Sequence, residues 1–276
     1  MSNPTNQLVI ATYNIQFCTN IQKVIENIEI MEKKGVTVFC LQEAINIRDR
    51  EFIAHTITKK LGNEWKAASH VGEEISKVSI GTCIVWNSKV VSLEREEKII
   101  LPKIKKLAFH EFIFDKMIGG LAVPLQRRAT SCYFKFQGKT ILVTSIHTDN
   151  IGGTSHRLNQ IQFLLSSLHK TNYEIICGDF NNFDLLNSGK EKNLIHKLLG
   201  NNFIEASKKV GWTADLHNID MQNSFRLFKW FVKTCNIHLR RQLDYIWVKN
   251  FQVLKCYKLE LLGSDHFPLI CTLKID

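Results

Sequence analysis

The sequence has no CxxC pair, although eight cysteines occur among its 276 residues. Most of these cysteines lie inside apolar runs such as VTVFCLQ and PLICTL, where small reduced core residues are expected. A zinc site would need closely spaced His and Cys ligands, which are also lacking. The pattern therefore argues against both a disulfide framework and a structural zinc site.

The chain also lacks an apolar run of the length that a membrane span requires. Its N-terminal stretch MSNPTNQLVIATYN has no basic region followed by an apolar one, as a signal peptide has. We therefore expect a cytoplasmic protein, with secretion by a route that needs no signal peptide as the alternative. Proline is scarce, with 4 residues, and no Pro/Gly/Ser-rich linker divides the chain, which predicts one domain over residues 1–276.

Positive charge is in excess, because 36 Lys and Arg oppose 26 Asp and Glu and give a formal net charge of +10. Such a charge favours a polyanionic partner, either nucleic acid or an anionic lipid surface. A generally basic surface explains it equally well. The charge can support a functional interpretation here, but it cannot generate one.

Short apolar runs rich in β-branched residues alternate with segments of helical periodicity. A strand at 8–15 precedes an amphipathic helix at 20–35, and a strand at 36–42 precedes a helix at 46–62. The same order recurs around a helix at 155–170, so the two halves resemble each other. The pattern predicts an α/β fold, with further strands at 64–70, 80–86, 108–114, 131–136, 140–147, 173–180, 243–250, 251–259 and 267–275, and a further helix at 190–199.

Polar side chains interrupt the apolar runs where predicted strands end. Taken singly, each has an ordinary explanation, such as a turn amide, a helix-start acid or a histidine satisfied in the core. Taken together, they are acids, amides and histidines at the ends of buried runs, where unpaired polar groups are costly. Because ligands bind where strands of layered α/β folds end, these side chains are candidates for one site: Asn14, Glu43, His147, Asp179, Asn181, Asp244, Asp265 and His266.

The chemistry of this set favours metal-assisted phosphoester hydrolysis. Carboxylate and amide oxygens are hard ligands that suit Mg²⁺ or Mn²⁺. A histidine held by a carboxylate can act as a general base or stabilise developing negative charge. A divalent ion beside such a pair is the usual equipment for hydrolysing phosphoesters.

Six motifs carry a resemblance to a known family. ATYNIQF, LQEA, SIHTDN, CGDFNN, LDYIWVKN and SDHFPL, in this order over residues 11–269, resemble the endonuclease/exonuclease/phosphatase superfamily, which includes deoxyribonuclease I. The resemblance implies a four-layer α/β sandwich, in which helices flank two packed mixed β-sheets. It is specific for the superfamily and leaves the branch open.

The resemblance also implies roles for individual residues. Glu43 would be the main ligand of Mg²⁺ (or Mn²⁺), with Asn14 beside it and Asp265 near the ion. Asp179 would orient or activate the attacking water, and Asn181 would hold a phosphate oxygen. His266, oriented by Asp244, would contact the scissile phosphate, and His147 would be a second histidine facing it.

An arginine is also expected at the substrate phosphate. Arg127 or Arg128 lies where deoxyribonuclease-like relatives place such a residue, and a solvated basic turn is the alternative. We assign Arg128 to the phosphate, although the sequence does not decide between the two. Arg157 and Gln160 match a helix pattern that follows the histidine strand, where a structural role is at least as plausible.

The substrate class is less well specified. His147 argues against the AP endonuclease branch, and LDYIW argues against the inositol-polyphosphate 5-phosphatases. Segment 224–241 interleaves aromatic residues with Lys and Arg, which suits stacking on nucleic-acid bases, contact with anionic lipid, or an amphipathic element with buried aromatics. The sequence favours an endonuclease acting on DNA or RNA. Alternatives are a sphingomyelinase-like or small-molecule phosphodiesterase, a tyrosyl-DNA phosphodiesterase, and a catalytically silent binding module.

Overall fold

Two mixed β-sheets of six strands each form the centre of the molecule, and helices cover their outer faces. The computed structural model describes residues 6–47, 52–75, 78–104, 126–182, 189–215, 234 and 240–275. Its helices are α1 (Ile21–Lys33), α2 (Ile53–Leu61), α3 (Gly153–Ser167) and α4 (Lys190–Leu199), with a short 3-10 turn at Gln16–Cys18. Its strands are β1 (Gln7–Asn14), β2 (Val38–Ile47), β3 (Trp65–Ile75), β4 (Val78–Asn87), β5 (Ser92–Ile100), β6 (Arg128–Phe136), β7 (Lys139–His147), β8 (Tyr173–Asp179), β9 (Phe203–Glu205), β10 (Ala214–Asp215), β11 (Arg240–Arg241), β12 (Asp244–Lys249), β13 (Gln252–Lys258) and β14 (Leu269–Lys274).

The strand order is β13-β14-β1-β2-β4-β3 in the first sheet and β5-β6-β7-β8-β12-β9 in the second. Each sheet contains one parallel pair, β1 with β2 and β7 with β8. Parallel neighbours need a crossover connection, and α1 and α3 provide the two crossovers. The predicted resemblance between the halves is confirmed in these units, and the four-layer α/β sandwich is confirmed as the fold class.

The apolar core between the sheets explains where polar side chains collect. On β8, Ile175 and Cys177 point into this core, and Asp179 is the next residue with the same orientation. Side chains alternate along a strand, so the inward-facing residue nearest this end of the sandwich continues the row of core residues, whether it is the last or the first of its strand. Asn14, His147 and Asp244 are the corresponding residues on β1, β7 and β12.

Most predicted elements are confirmed, with one correction. The helix predicted over 46–62 begins only at Ile53, because β2 continues to Ile47 and stays paired with β4. Strand β5 was not predicted as a unit; its SLEREEKII sequence is mostly exposed at the edge of the second sheet. The predicted strand at 108–114 lies outside the described residues.

The described cysteines are all free, and each is buried except Cys256, which is partly exposed. This confirms the expectation of reduced core residues for that part of the chain; Cys235 lies outside it. None of the helices in the described ranges has the length and apolar character that crossing a bilayer requires.

Gly178 is required where β8 passes β7. Its φ is +146°, and a Cβ there would clash with the carbonyl oxygen of Ile146. We expect Gly178→Ala to cost about 3 kcal/mol, from strained backbone and overpacking. Gly138 is the matched control, because its φ is +76° but nothing lies near the added Cβ, so Gly138→Ala should cost only about 1 kcal/mol. Urea unfolding of both variants measures the difference, and equal losses would contradict the close approach.

Candidate active site

A β-bulge brings Glu43 to the end of the sandwich. Gln42 pairs with Thr82 on β4, and Ala44 pairs with the next residue, Gly81, so Glu43 is the extra residue. Its φ is +54°, which is uncommon for a non-glycine residue and turns the side chain out of the strand alternation. The sequence predicts that the strand ends at Gln42, whereas β2 continues past Glu43 and stays paired with β4.

Asp179 lies at the centre of the site and is buried, with 1% exposure. Its Oδ2 accepts a hydrogen bond from Asn14 Nδ2 at 3.0 Å, and its Oδ1 accepts one from the backbone N–H of Asn181 at 2.9 Å. The same Oδ2 is 3.6 Å from His147 Nε2 and 3.8 Å from His266 Nε2. Burial, with a contribution from Asp244, raises the pKa of Asp179 to about 6.

His266 is held by a carboxylate, as predicted. Its Nδ1 lies 2.8 Å from Asp244 Oδ2, and both side chains are buried. Burial opposes the charged imidazolium, but Asp244 and Asp179 outweigh it and raise the pKa of His266 well above its usual value. Ser264 holds the backbone of His266 close to the end of β1. Its Oγ donates to the carbonyl of Asn14 at 2.8 Å and accepts from the backbone N–H of His266 at 3.1 Å.

His147 has the opposite electrostatic environment. Arg127 Nη1 lies 3.3 Å from the His147 ring nitrogens, and His147 Nε2 is 3.8 Å from Glu43 Oε1. Burial, Arg127 and His266 together lower the pKa of His147 well below its usual value. The two imidazoles therefore differ in proton affinity, which is lowered for His147 and raised for His266, and each Nε2 lies within 4 Å of Asp179 Oδ2.

Arg127, and not Arg128, is the arginine that contacts this cluster. Arg127 is buried and donates from Nε to Asp149 Oδ1 at 2.8 Å. Arg128 starts β6 with its side chain between the sheets, where Nη1 lies 2.8 Å from His70 Nε2. The contact of Arg128 with the substrate phosphate stays a prediction, and in this structure its guanidinium is engaged by β3.

Asn181 is positioned by its backbone. It has a φ of +45°, and its Nδ2 donates to the carbonyl of Thr148 at 2.9 Å. Its neighbour Asn182 donates to the hydroxyl of Tyr245, and its Oδ1 is buried without a hydrogen-bond partner. The CGDFNN segment is thus a tightly bonded turn that presents Asp179, and the contact of Asn181 with a phosphate oxygen stays a prediction.

The acids of the site fit a divalent cation. Asp179 and Asp244 are buried, whereas Glu43 and Asp265 are partly exposed and can meet an ion from solvent. Burial and the neighbouring Asp265 raise the pKa of Glu43 to about 7, and burial raises that of Asp265. Clustered carboxylates that repel one another are the oxygen donors that Mg²⁺ or Mn²⁺ prefers. Asn14 fits less directly, because its Oδ1 already accepts from the backbone N–H of Gln16.

Asp179, Asp244 and His266 also offer ligand atoms within 4.8 Å of one another in the described part of the chain. This triad differs from the predicted ligand set. Since His266 Nδ1 and Asp244 Oδ2 already form a short hydrogen bond, we interpret the triad as a hydrogen-bonded pair facing Asp179.

Removing the charge of Glu43 should abolish the stabilisation of the protein by Mg²⁺ without lowering the stability of the metal-free protein. We expect Mg²⁺ at about a hundred times its Kd to stabilise the native protein by about 2.7 kcal/mol. Glu43→Gln should lose this response, while its metal-free form should be at least as stable as the metal-free native protein because one repelling carboxylate is gone. Thermal denaturation with Mg²⁺ and with EDTA measures both effects.

Glu97→Gln is the matched control for Glu43→Gln, because the two side chains have similar exposure, 18% and 15%. Glu97 lies on β5, where it bonds Tyr133 and His169. Its variant should keep the full response to Mg²⁺. An undiminished response in Glu43→Gln would place the metal elsewhere.

Part of segment 224–241 is described, and its base lies beside the site. Arg240 and Arg241 form β11, which pairs with β10, and Ala214 of β10 forms a bridge with His266. The guanidinium of Arg240 packs over Trp212 at 4.4 Å. Residues 224–233 and 235–239, with the predicted aromatic contacts, lie outside the described residues.

Comparison with known proteins places the fold. No protein-family model and no curated protein sequence matches the chain. Solved structures do. An endonuclease/exonuclease/phosphatase family protein from Leptotrichia buccalis superposes with a TM-score of 0.68 at 16% identity, covering 97% of this chain and 100% of that one.

Two further structures differ in the activity that their descriptions give. TDP2 from D. rerio, complexed with a single-strand DNA product, has a TM-score of 0.66 at 14% identity, covering 97% and 99% of the two chains. A mannosyl-6-phosphatase from Bacteroides thetaiotaomicron has a TM-score of 0.67 at 15% identity, covering 96% and 99%. The resemblance carried by the six motifs is therefore confirmed at the level of the fold, and the chain has the fold of the endonuclease/exonuclease/phosphatase family.

Proposed function

We propose that the chain is a Mg²⁺-dependent phosphodiesterase that hydrolyses a phosphoester by in-line attack of water. The observation that carries this proposal is the position of Asp179 Oδ2, which lies 3.6 Å from His147 Nε2 and 3.8 Å from His266 Nε2. Such a set can orient a nucleophile and stabilise negative charge within one site. Residues 1–276 would form one catalytic domain.

Each residue has a role that follows from its contacts. Asp179, with a pKa of about 6, is ionised at neutral pH and accepts a hydrogen bond from the attacking water. His266 donates from Nε2 to a non-bridging phosphate oxygen, and Asp244 keeps the ring oriented through Nδ1. His147 and Arg127, which contact each other, and Asn181, whose backbone N–H donates to Asp179, would contact the remaining phosphate oxygens.

Glu43 and Asp265, with Asn14 beside them, would hold the Mg²⁺ or Mn²⁺ ion. When bound, the ion neutralises charge on the phosphoryl group and relieves the repulsion among the acids. The protein's own contribution is to hold the carboxylates of the site at the end of a rigid sandwich. The bulge at Glu43 fixes the direction of that side chain, and the turn at Asn181 fixes that of Asp179.

A nucleic acid is the substrate that we favour, with endonucleolytic cleavage of DNA or RNA in the cytoplasm. The formal charge of +10 supports a polyanion, and Arg240 and Arg241 lie at the base of an aromatic and basic segment beside His266. TDP2, whose structure holds a single-strand DNA product, shares the fold. A tyrosyl-DNA phosphodiesterase would use the same charges.

A phosphoester of a small molecule is the second candidate. The mannosyl-6-phosphatase with this fold shows that the same architecture accommodates a phosphatase for a sugar phosphate. The cluster around Asp179 is suited to a phosphate group irrespective of what is attached to it. A sphingomyelinase-like activity on anionic lipid and a silent binding module remain alternatives for the test.

One assay panel separates these functions. Purified protein is given supercoiled plasmid, single-stranded DNA, RNA, a 5′-tyrosyl oligonucleotide, sphingomyelin, inositol phosphates and a sugar phosphate, each with Mg²⁺ and with EDTA. We expect metal-dependent cleavage of a nucleic acid that Asp179→Asn abolishes. Preferential turnover of a lipid or sugar phosphate would replace the nuclease proposal. Absence of all turnover by folded protein would reject the enzyme proposal.

A further inference from the structure

Asp149 forms a buried hub directly behind Arg127. Its Oδ1 accepts from Arg127 Nε at 2.8 Å, and its Oδ2 accepts from His156 Nε2 at 2.8 Å and Gln160 Nε2 at 2.9 Å. Gln160 also accepts from the backbone N–H of Asp149 at 2.9 Å. Both carboxylate oxygens are therefore occupied, and the first turns of α3 hold Asp149 rigidly.

This hub determines which way the guanidinium of Arg127 points. A guanidinium is a planar fork, so fixing Nε directs the terminal nitrogens to the opposite side. Nη1 then lies 3.3 Å from the His147 ring, and Nη2 lies 3.5 Å from Asn150 Oδ1. Arg127 and Asp149 are buried, at 9% and 1% exposure, so the orientation is set before any substrate arrives.

A mobile arginine would lose conformational entropy about several side-chain bonds when it contacts a phosphate. An arginine that is already held in place loses much less. The charge of the pair is also balanced, because Asp149 offsets a buried guanidinium that would otherwise be costly to desolvate. The Asp149 carboxylate thus has two functions. It offsets the desolvation cost of the Arg127 guanidinium, and it sets the orientation of that guanidinium.

We propose that Asp149 is a positioning residue, which acts on the phosphate of the substrate only through Arg127. The hub of Asp149, His156 and Gln160 holds the Arg127 guanidinium against His147, so that its terminal nitrogens meet a phosphate oxygen. This proposal rests on the proposed phosphoesterase function.

A double-mutant cycle with bis(p-nitrophenyl) phosphate and Mg²⁺ tests it. Asp149→Asn keeps the volume but puts an amide against the donors of His156 and Gln160. We expect it to lower kcat/KM by about 10- to 100-fold, the range seen when a residue supporting a site is changed. In an Arg127→Ala background the same change should have less than about a twofold effect, since the guanidinium it directs is absent.

Glu191→Gln is the matched control, because Glu191 and Arg157 form a second buried arginine–carboxylate pair at 2.6 Å that joins α3 to α4. A structural role alone predicts that Asp149→Asn and Glu191→Gln lose equal stability and equal activity. It also predicts that Asp149→Asn lowers kcat/KM by the same factor in the Arg127→Ala background as in the native protein. Either result would overturn the positioning role.

Binding of inorganic phosphate, measured by calorimetry for the same variants, keeps the two proposals distinct. If the native protein hydrolyses no phosphoester yet the cycle shows coupling in phosphate affinity, the enzymatic function fails and the positioning role stands. If hydrolysis occurs without coupling, the positioning role alone fails. Absence of both hydrolysis and phosphate binding rejects both.

Discussion

Asp179→Asn is expected to lower kcat/KM by about 10²–10⁴-fold, the typical contribution of an essential acid–base or electrostatic group. An amide accepts a hydrogen bond from the attacking water much more weakly than a carboxylate does, and its nitrogen would face the donating Nδ2 of Asn14. The loss should appear in kcat as well as in kcat/KM. Steady-state kinetics on the best substrate of the panel, at saturating Mg²⁺, measures it.

Glu174→Gln is the control for this prediction. Glu174 lies on the same strand β8, is also buried, and pairs with Lys249 at 2.9 Å near the opposite end of the strand. It should lose stability and keep its rate, whereas Asp179→Asn should keep most of its stability, because burial already disfavours its ionised carboxylate. A rate loss below tenfold in folded Asp179→Asn would remove Asp179 from the reaction.

Asp244→Asn should be nearly as damaging, with a loss of about 10²–10⁴-fold in kcat. Asp244 Oδ2 accepts from the N–H of His266 Nδ1, and an asparagine that turned its amide to this position would favour the wrong tautomer. The carboxylate also raises the pKa of His266, so its removal lowers that pKa and reduces the imidazolium fraction near neutral pH.

The pH–rate profile distinguishes this mechanism from simple misfolding. Because the raised pKa of His266 falls in Asp244→Asn, the alkaline limb of kcat should move to lower pH, and part of the activity should return on acidification. His266→Ala should lose that limb entirely. An unshifted limb in Asp244→Asn would mean that another group produces it.

Much of the fold follows from the sequence, because its periodicities are strong. The α1 and α3 helices and the strands that precede and follow them are recognisable from one apolar stripe each and from β-branched runs. Strand β5 is different, since SLEREEKII places charges at most positions and its edge location leaves little apolar signal. The helical periodicity of the sequence begins at Asn46, but β2 stays paired with β4 up to Ile47.

The candidate site could be predicted as a set of residues but not as a geometry. The order of motifs identifies Glu43, Asp179 and His266, yet nothing local reveals the bulge that turns Glu43 or the choice between two adjacent arginines. Arg127 and Arg128 are adjacent at the start of β6, and only the folded structure shows that Arg127 meets His147 and Arg128 meets His70. Asp149 stands two residues after His147 within the motif SIHTDN, and this position is the sequence feature that indicates a place near the site.

The hydrogen bond from Ser264 Oγ to the carbonyl of Asn14 joins residues 250 positions apart. It lies where β14 fits between β13 and β1, so an early strand of the first sheet is completed by one that is synthesised late. Domains with such long-range pairings fold slowly, and a chain that stops before Ser264 cannot form this bond. The surroundings of His266 therefore assemble only after segments at opposite ends of the described chain have met, which makes their formation a late event in folding and independent of any local element.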